Sequence, residues 1–171
     1  MSGALIKVST TTVSSSTGYV DIVGFTTDFD VYMMTINKLR VTTDERDIRV
    51  RFLESGVPNS SANYDYAMKY LGTAGNGQAG NENQTEIDMS LNIGNDTGEM
   101  LNSIQYIYNV NNSGIYTMIS FENTIMSHLA ELRGFVGCGL LTVNSQVNGI
   151  RYSSGGNIDS AVFTLYGLKK D

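Results

Sequence analysis

The chain has a single cysteine, Cys138, and no tryptophan. One thiol closes no internal disulfide and has no second thiol with which to share a metal, so packing has to hold the fold. Cys138 sits in the apolar run GFVGCGLL, where a thiol is expected to act as a small buried hydrophobe. Proline is equally scarce: Pro58 is the only one, and no low-complexity spacer provides a flexible interdomain linker. No stretch approaches the roughly 18 apolar residues of a membrane helix, and the opening MSGALIKVSTTT lacks the apolar centre of a secretory signal. Heptads and short-period repeats are missing, which leaves no coiled-coil or β-helical stalk. Positive charge is thin: eleven Lys and Arg against seventeen Asp and Glu give a net charge of −6. The basic residues are scattered, an arrangement that opposes binding to nucleic acid or an anionic membrane.

What the chain does have is alternation. In TEIDMSLNIG, Ile87, Met89, Leu91 and Ile93 point one way and Glu86, Asp88, Ser90 and Asn92 the other, the pattern of a half-solvated strand. DIRVRFLES places Ile48, Val50 and Phe52 inward, and IQYIYNV aligns Ile104, Tyr106, Tyr108 and Val110. With GYVDIVGF, DVYMMTINKLRV, NYDYAMKYL, IYTMISFE, GFVGCGLLTV, VNGIRY, SAVFTLYGL and a weak LIKVS, about eleven strands are expected, separated by Gly, Ser, Asn and Asp clusters. This spacing predicts an all-β antiparallel sandwich, jelly-roll-like, with about 8–11 strands in one domain over residues 1–171. At most one short helix is expected, in NTIMSHLAELRG, where Ile125, Leu129 and Leu132 recur at i, i+4 and i+7; the same residues also suit an extension of the preceding strand. Near the end, VNGIRYSSGGNIDSAVFTLYGL reads as a hairpin that closes the sandwich.

Catalytic motifs are harder to find. GNGQAG satisfies G-x-G-x-x-G at Gly75, Gly77 and Gly80, but a dinucleotide site needs a helix after it and a strand follows, so it reads as a flexible loop. His128 is the only histidine and no G-x-S-x-G elbow accompanies it. The acidic clusters TTDFD, TDERD and GNDTGE lack the spacing of a calcium loop and read as polar turns. Asp88 and Glu86 share an exposed strand face, a poor setting for paired-carboxylate hydrolysis. No cofactor, metal or catalytic residue is therefore expected. Ten tyrosines are present, of which alternation buries about half; Tyr64, Tyr66, Tyr70, Tyr106, Tyr108 and Tyr116 are the candidates for an exposed aromatic face. Sequons at Asn59, Asn83, Asn95 and Asn111 follow from the Asn, Ser and Thr content.

VNGIRYSSGGNIDSAVFTLYGLKK, together with GNDTGEMLNSIQYIYNVNNSGIYTMISFEN and the early DFDVYMMTINKLRVTTDERDIRVRF, resembles a group of tailed-bacteriophage virion structural proteins of marine and cyanobacterial phages over most of the chain, in matching order. In that group a V-x-x-I-R-F/Y strand leads through a Ser/Gly/Asn turn to a last strand ending F-x-L-Y-G. The resemblance implies a jelly-roll domain that oligomerises, often as a trimer, on the particle. It carries no catalytic residues. The implied role is a capsid decoration or cement protein in the virion, made in the host cytoplasm and bound to the major capsid protein or other virion proteins. The alternative is a tail-fibre or adaptor component that binds a receptor. The segment MSHLAELRGFVGCGLL is more apolar than that group's Gly/Ser-rich counterpart, which places a subunit interface at Ile125, Met126, Leu129, Leu132 and Phe135.

Overall fold

In the computed structural model, which describes residues 4–169, all regular structure is β. The strands are β1 (Leu5–Val13), β2 (Thr17–Val23), β3 (Phe29–Val41), β4 (Arg49–Glu54), β5 (Val57–Pro58) and β6 (Tyr64–Gly72). They continue with β7 (Gly75–Gln84), β8 (Ile87–Asp88), β9 (Leu101–Tyr108), β10 (Met118–Met126), β11 (Leu132–Leu141) and β12 (Val147–Lys169). All pairings are antiparallel. They form one curled sheet, a half-barrel of sandwich-like character, in the order β5-β4-β12-β3-β9-β10-β11-β6-β7, with β1 and β2 on β12 and β8 on β4.

The carboxyl-terminal segment is not a hairpin. Residues 147–169 form one bent strand that serves as the spine of the sheet. Along one edge run β1 and β2, from Leu5 opposite Leu168 to Val23 opposite Gly149. Along the other run β3 and β4, from Phe29 opposite Lys169 to Glu54 opposite Val147. The Ser/Gly string at 153–156 has turn composition, yet neighbours on both edges hold the flanking backbone extended. Its effect is a bend, with Gly155 at φ 66° and register shifts between Ser153 and Ile158.

Three more segments depart from the sequence reading. The helical pattern in NTIMSHLAELRG does not form a helix: Asn123 to Met126 belong to β10, residues 127–131 make the turn, and β11 begins at Leu132. β10 has a strand on either side, with Ile125 opposite both Leu101 and Arg133, and these ladders supply the backbone partners a short helix would have had to find within itself. GNGQAGNENQ is the edge strand β7 instead of a loop; it has no apolar alternation to betray it. Gly77 is required there, because a Cβ would meet the Tyr70 ring at 2.4 Å. TEIDMSLNIG buries Ile87, Met89 and Ile93 on one side as the alternation predicts, with Leu91 only half-buried. Its regular pairing is confined to β8, supplemented by isolated bridges from Ile93 to Arg46 and Ser127.

The core collects the inward residues of these strands, including Tyr32, Met34, Phe52, Tyr64, Phe121, Tyr152, Phe163 and Leu165. β11 passes close to it: a Cβ on Gly137 would strike Phe121 at 2.4 Å, and one on Gly139 would strike Ile87 at 2.7 Å. These glycines let the β11 backbone lie directly against the core.

Candidate functional site

β9 reverses the polarity its sequence suggests. Leu101, Ser103, Gln105 and Ile107 are buried, whereas Ile104 and Tyr106 face out. Hydrogen bonding decides the phase: the buried Tyr152 hydroxyl donates to Gln105 Oε1 at 2.6 Å, and Gln105 Nε2 donates to Ser103 Oγ at 3.0 Å. With its polar atoms paired, Gln105 can be buried at little cost, and the apolar partners of the other phase are left outside.

The neighbouring strands continue that outer face. In register across β3, β9, β10, β11 and β6 stand Thr35, Ile104, Glu122, Val136 and Lys69. The next row holds Asn102, Thr124, Gly134 and Leu71, and the one on the other side Met33, Tyr106, Ser120, Cys138 and Ala67. An open groove of about 1200 Å³ crosses these strands, with Tyr166 and Thr35 toward one end and Lys69 and Leu71 toward the other. Leu71 and Val136 are 71% and 59% exposed, respectively. Lys69 and Glu122 have no ionic partner among the described residues.

Of the five residues expected at an interface, Ile125 and Phe135 lie in the core, each less than 4% exposed, although Phe135 also lines the groove. Met126 is half-buried. Leu132 faces the groove, and Leu129, 62% exposed, projects from the turn between β10 and β11. Alternation explains the split, since Ile125 and Phe135 occupy the inward phase of their strands. Cys138 departs from its expected burial: it is exposed on the outward phase of β11, beside a second shallow depression lined by Lys69 and Val136. Ile104, Leu71 and Val136 went unrecognised in the sequence. The available signal was the equal fit of β9 to either phase, Leu101 and Ile107 on one and Ile104 and Tyr106 on the other. About half the tyrosines are inside, Tyr64 and Tyr66 among them, while Tyr19, Tyr106 and Tyr116 are exposed.

Some of the charged residues elsewhere are paired with one another. Arg49 lies 3.1 Å from Glu86 and 3.4 Å from Asp47, and its Nε is 3.1 Å from Asp88, close enough for an ion pair but out of line for a hydrogen bond. Arg51 reaches Glu86 at 3.1 Å, and the Tyr66 hydroxyl donates to Asp88 at 2.7 Å. Burial by itself lowers the Arg49 pKa, but Asp88, Glu86 and Asp47 outweigh it and the net shift is upward. This network clips β8 to β4 and β6, and Glu86 and Asp88, the pair considered for hydrolysis, are tied up within it. Arg151 grips Asp21 through two 2.7 Å hydrogen bonds and stacks 3.8 Å over the Tyr19 ring, which locks β12 to β2. The single histidine, His128, is 3.8 Å from Glu45. Among the described residues, no group of three or more His, Cys, Asp or Glu side chains is arranged to hold a metal.

Comparison of the chain with models of known families, with curated proteins and with solved structures gives no match.

Proposed function

We propose that this chain is a non-enzymatic structural protein of a tailed-phage virion, a decoration or cement subunit that binds the outside of the head shell as an oligomer and stabilises it. The single observation that supports this reading most is the unpartnered outer face of β3, β9, β10, β11 and β6, where Leu71, Ile104, Leu132 and Val136 are exposed on a continuous sheet. Exposed apolar surface on a rigid scaffold is characteristic of interaction surfaces. The sequence resemblance adds the virion setting, the trimer as the oligomer it implies, and the major capsid protein as partner. Oligomeric binding multiplies weak individual contacts, so a modest face on each copy suffices. The test is the disruption temperature of stripped or expanded capsids with and without the recombinant protein. A rise is expected; an unchanged temperature rejects the reading.

A second reading, a tail-fibre or receptor-binding component, draws on the composition of the groove. Tyr166 stands there with Thr35, Asn37, Asn102 and Thr124, an aromatic beside amides and hydroxyls, which is the chemistry that holds a sugar. Binding on a glycan array, lost in Tyr166→Ala, supports it; silence across the array removes it.

A further inference from the structure

We propose that the outer face of β11 and its two neighbouring strands is a two-fold self-contact, in which Lys69 of each copy pairs with Glu122 of the other. This goes beyond the oligomer reading above, because a trimer joins its copies around a three-fold axis and this contact is a separate, two-fold one. The charge pattern carries it. β6 and β10 flank β11, each at a spacing of about 4.8 Å, and Lys69, Val136 and Glu122 stand in one cross-strand row. A two-fold axis running along β11, above its outer face, exchanges the positions over β6 and β10. Each Lys69 then faces the other copy's Glu122, on both sides of the axis, while Leu132, Val136 and Cys138 face their own counterparts. Neither charge has an ionic partner within the described chain, so the contact provides partners that the fold lacks.

Gly134 leaves a gap in the stripe between Leu132 and Val136, with nothing within 4 Å of where its Cβ would stand. Leu71, beside Gly134 in the register, is the most exposed of the large hydrophobic residues at 71%. In the paired arrangement each Leu71 faces Thr124 of the other copy, beside the open space over Gly134. Three strands and four rows cover roughly 390 Å² a copy, using about 4.8 Å between strands and 6.8 Å between rows. That is about half of the roughly 800 Å² a partner of a standard specific interface, so the association is weak and dependent on concentration. A two-fold contact also gives even-numbered assemblies, which separates it from a trimer alone.

Sedimentation velocity of the full chain from about 5 μM to 1 mM, repeated for Glu122→Lys and Lys69→Glu, tests the contact. Both substitutions are on exposed side chains, and near-UV circular dichroism verifies that each variant is folded. Wild type is expected to form an even-numbered oligomer that rises with concentration. Each single variant places like charges opposite one another and is expected to associate at least tenfold more weakly. An equimolar mixture of the two variants restores complementarity and is expected to form the heterodimer, as the double variant restores the homodimer. Native Cys138 supplies an independent readout. Sheets packed face to face lie about 10 Å apart, too far for a disulfide but within reach of a short bis-maleimide, so cross-linking should follow the same pattern. A wild type that stays monomeric to 1 mM, a trimer indifferent to both charge reversals, or a mixture that fails to reassociate overturns the proposal. Capsid stabilisation by the monomeric variants leaves the decoration reading standing whatever happens here, and a two-fold dimer that leaves capsids unaffected does the reverse.

Discussion

Gln105 is a fully buried amide on a strand whose two phases are almost equally apolar, and its environment makes it a determinant of which side faces in. Replacing it with leucine strands the Tyr152 hydroxyl without an acceptor, which is expected to cost roughly 1–3 kcal/mol. In Gln105→Leu/Tyr152→Phe both partners go together and most of that loss should return, a coupling that denaturant titration of the four proteins in the cycle measures directly. Tyr152 also sets the response to alkali. Burial pushes its phenol far above the usual value near 10, with the Gln105 hydrogen bond pulling it back by less, and burial raises Tyr64 in the same sense. In the unfolded chain these phenols ionise first. The stability they contribute is therefore fully present below about pH 10 and falls as pH rises beyond it, by up to about 1.4 kcal/mol per pH unit for each tyrosine. Tyr152→Phe should show a shallower decline than wild type when unfolding is followed from pH 9 to 12.

Among the elements, β8 is only two residues long and depends on its neighbours for its place. Its pairing with β4 is two residues long, and the Arg49 network supplies the remainder of the clamp. Arg49→Ala leaves Asp47, Glu86 and Asp88 close together without their shared cation. Arg49 is one-third exposed, so solvent screening is expected to hold the loss at pH 7 to about 1 kcal/mol. The loss should shrink at high salt, which screens both the ion pairs and the repulsion among the three carboxylates. Thermal unfolding of variant and wild type at low and high salt distinguishes this from a simple packing defect, which would be independent of salt. β11 illustrates the opposite dependence: its glycines on the inner side are set by Phe121 and Ile87, residues of other elements.

At the scale of the molecule, β12 is the strand that four others need. β1 and β3 meet only across the carboxyl-terminal half of β12, with Thr10 and Thr35 both opposite Thr164. Ending the chain at Ser160 removes that shared neighbour. Such a chain is expected to lack protected amides in β1, whose every partner is removed, by hydrogen exchange, while the full chain protects them. The same pairing of β1 with β12 is a long loop to close, which predicts refolding on the millisecond-to-second scale typical of non-local β topologies. Stopped-flow fluorescence of the tyrosines checks it.

Much of this architecture was legible in the chain. The alternation in DIRVRFLES and in the inner residues of TEIDMSLNIG, and the turn clusters between them, are local and survive in the structure because period-two polarity needs only one wet face and one dry one. Scarce cysteine and proline likewise left packing as the means of holding a single sheet together. Other features were settled only by residues distant in sequence. The phase of β9 was set by Tyr152, 47 positions away. The strand β7 has no apolar signal because it is paired along one edge and packs little, so only its ladder with β6 reveals it. The Ser/Gly string at 153–156 became a bend instead of a turn because strands on both sides hold it extended. The exposed face of β11 followed from these choices: once Gln105 and Phe135 were taken inward, Ile104 and Val136 had only the outside left.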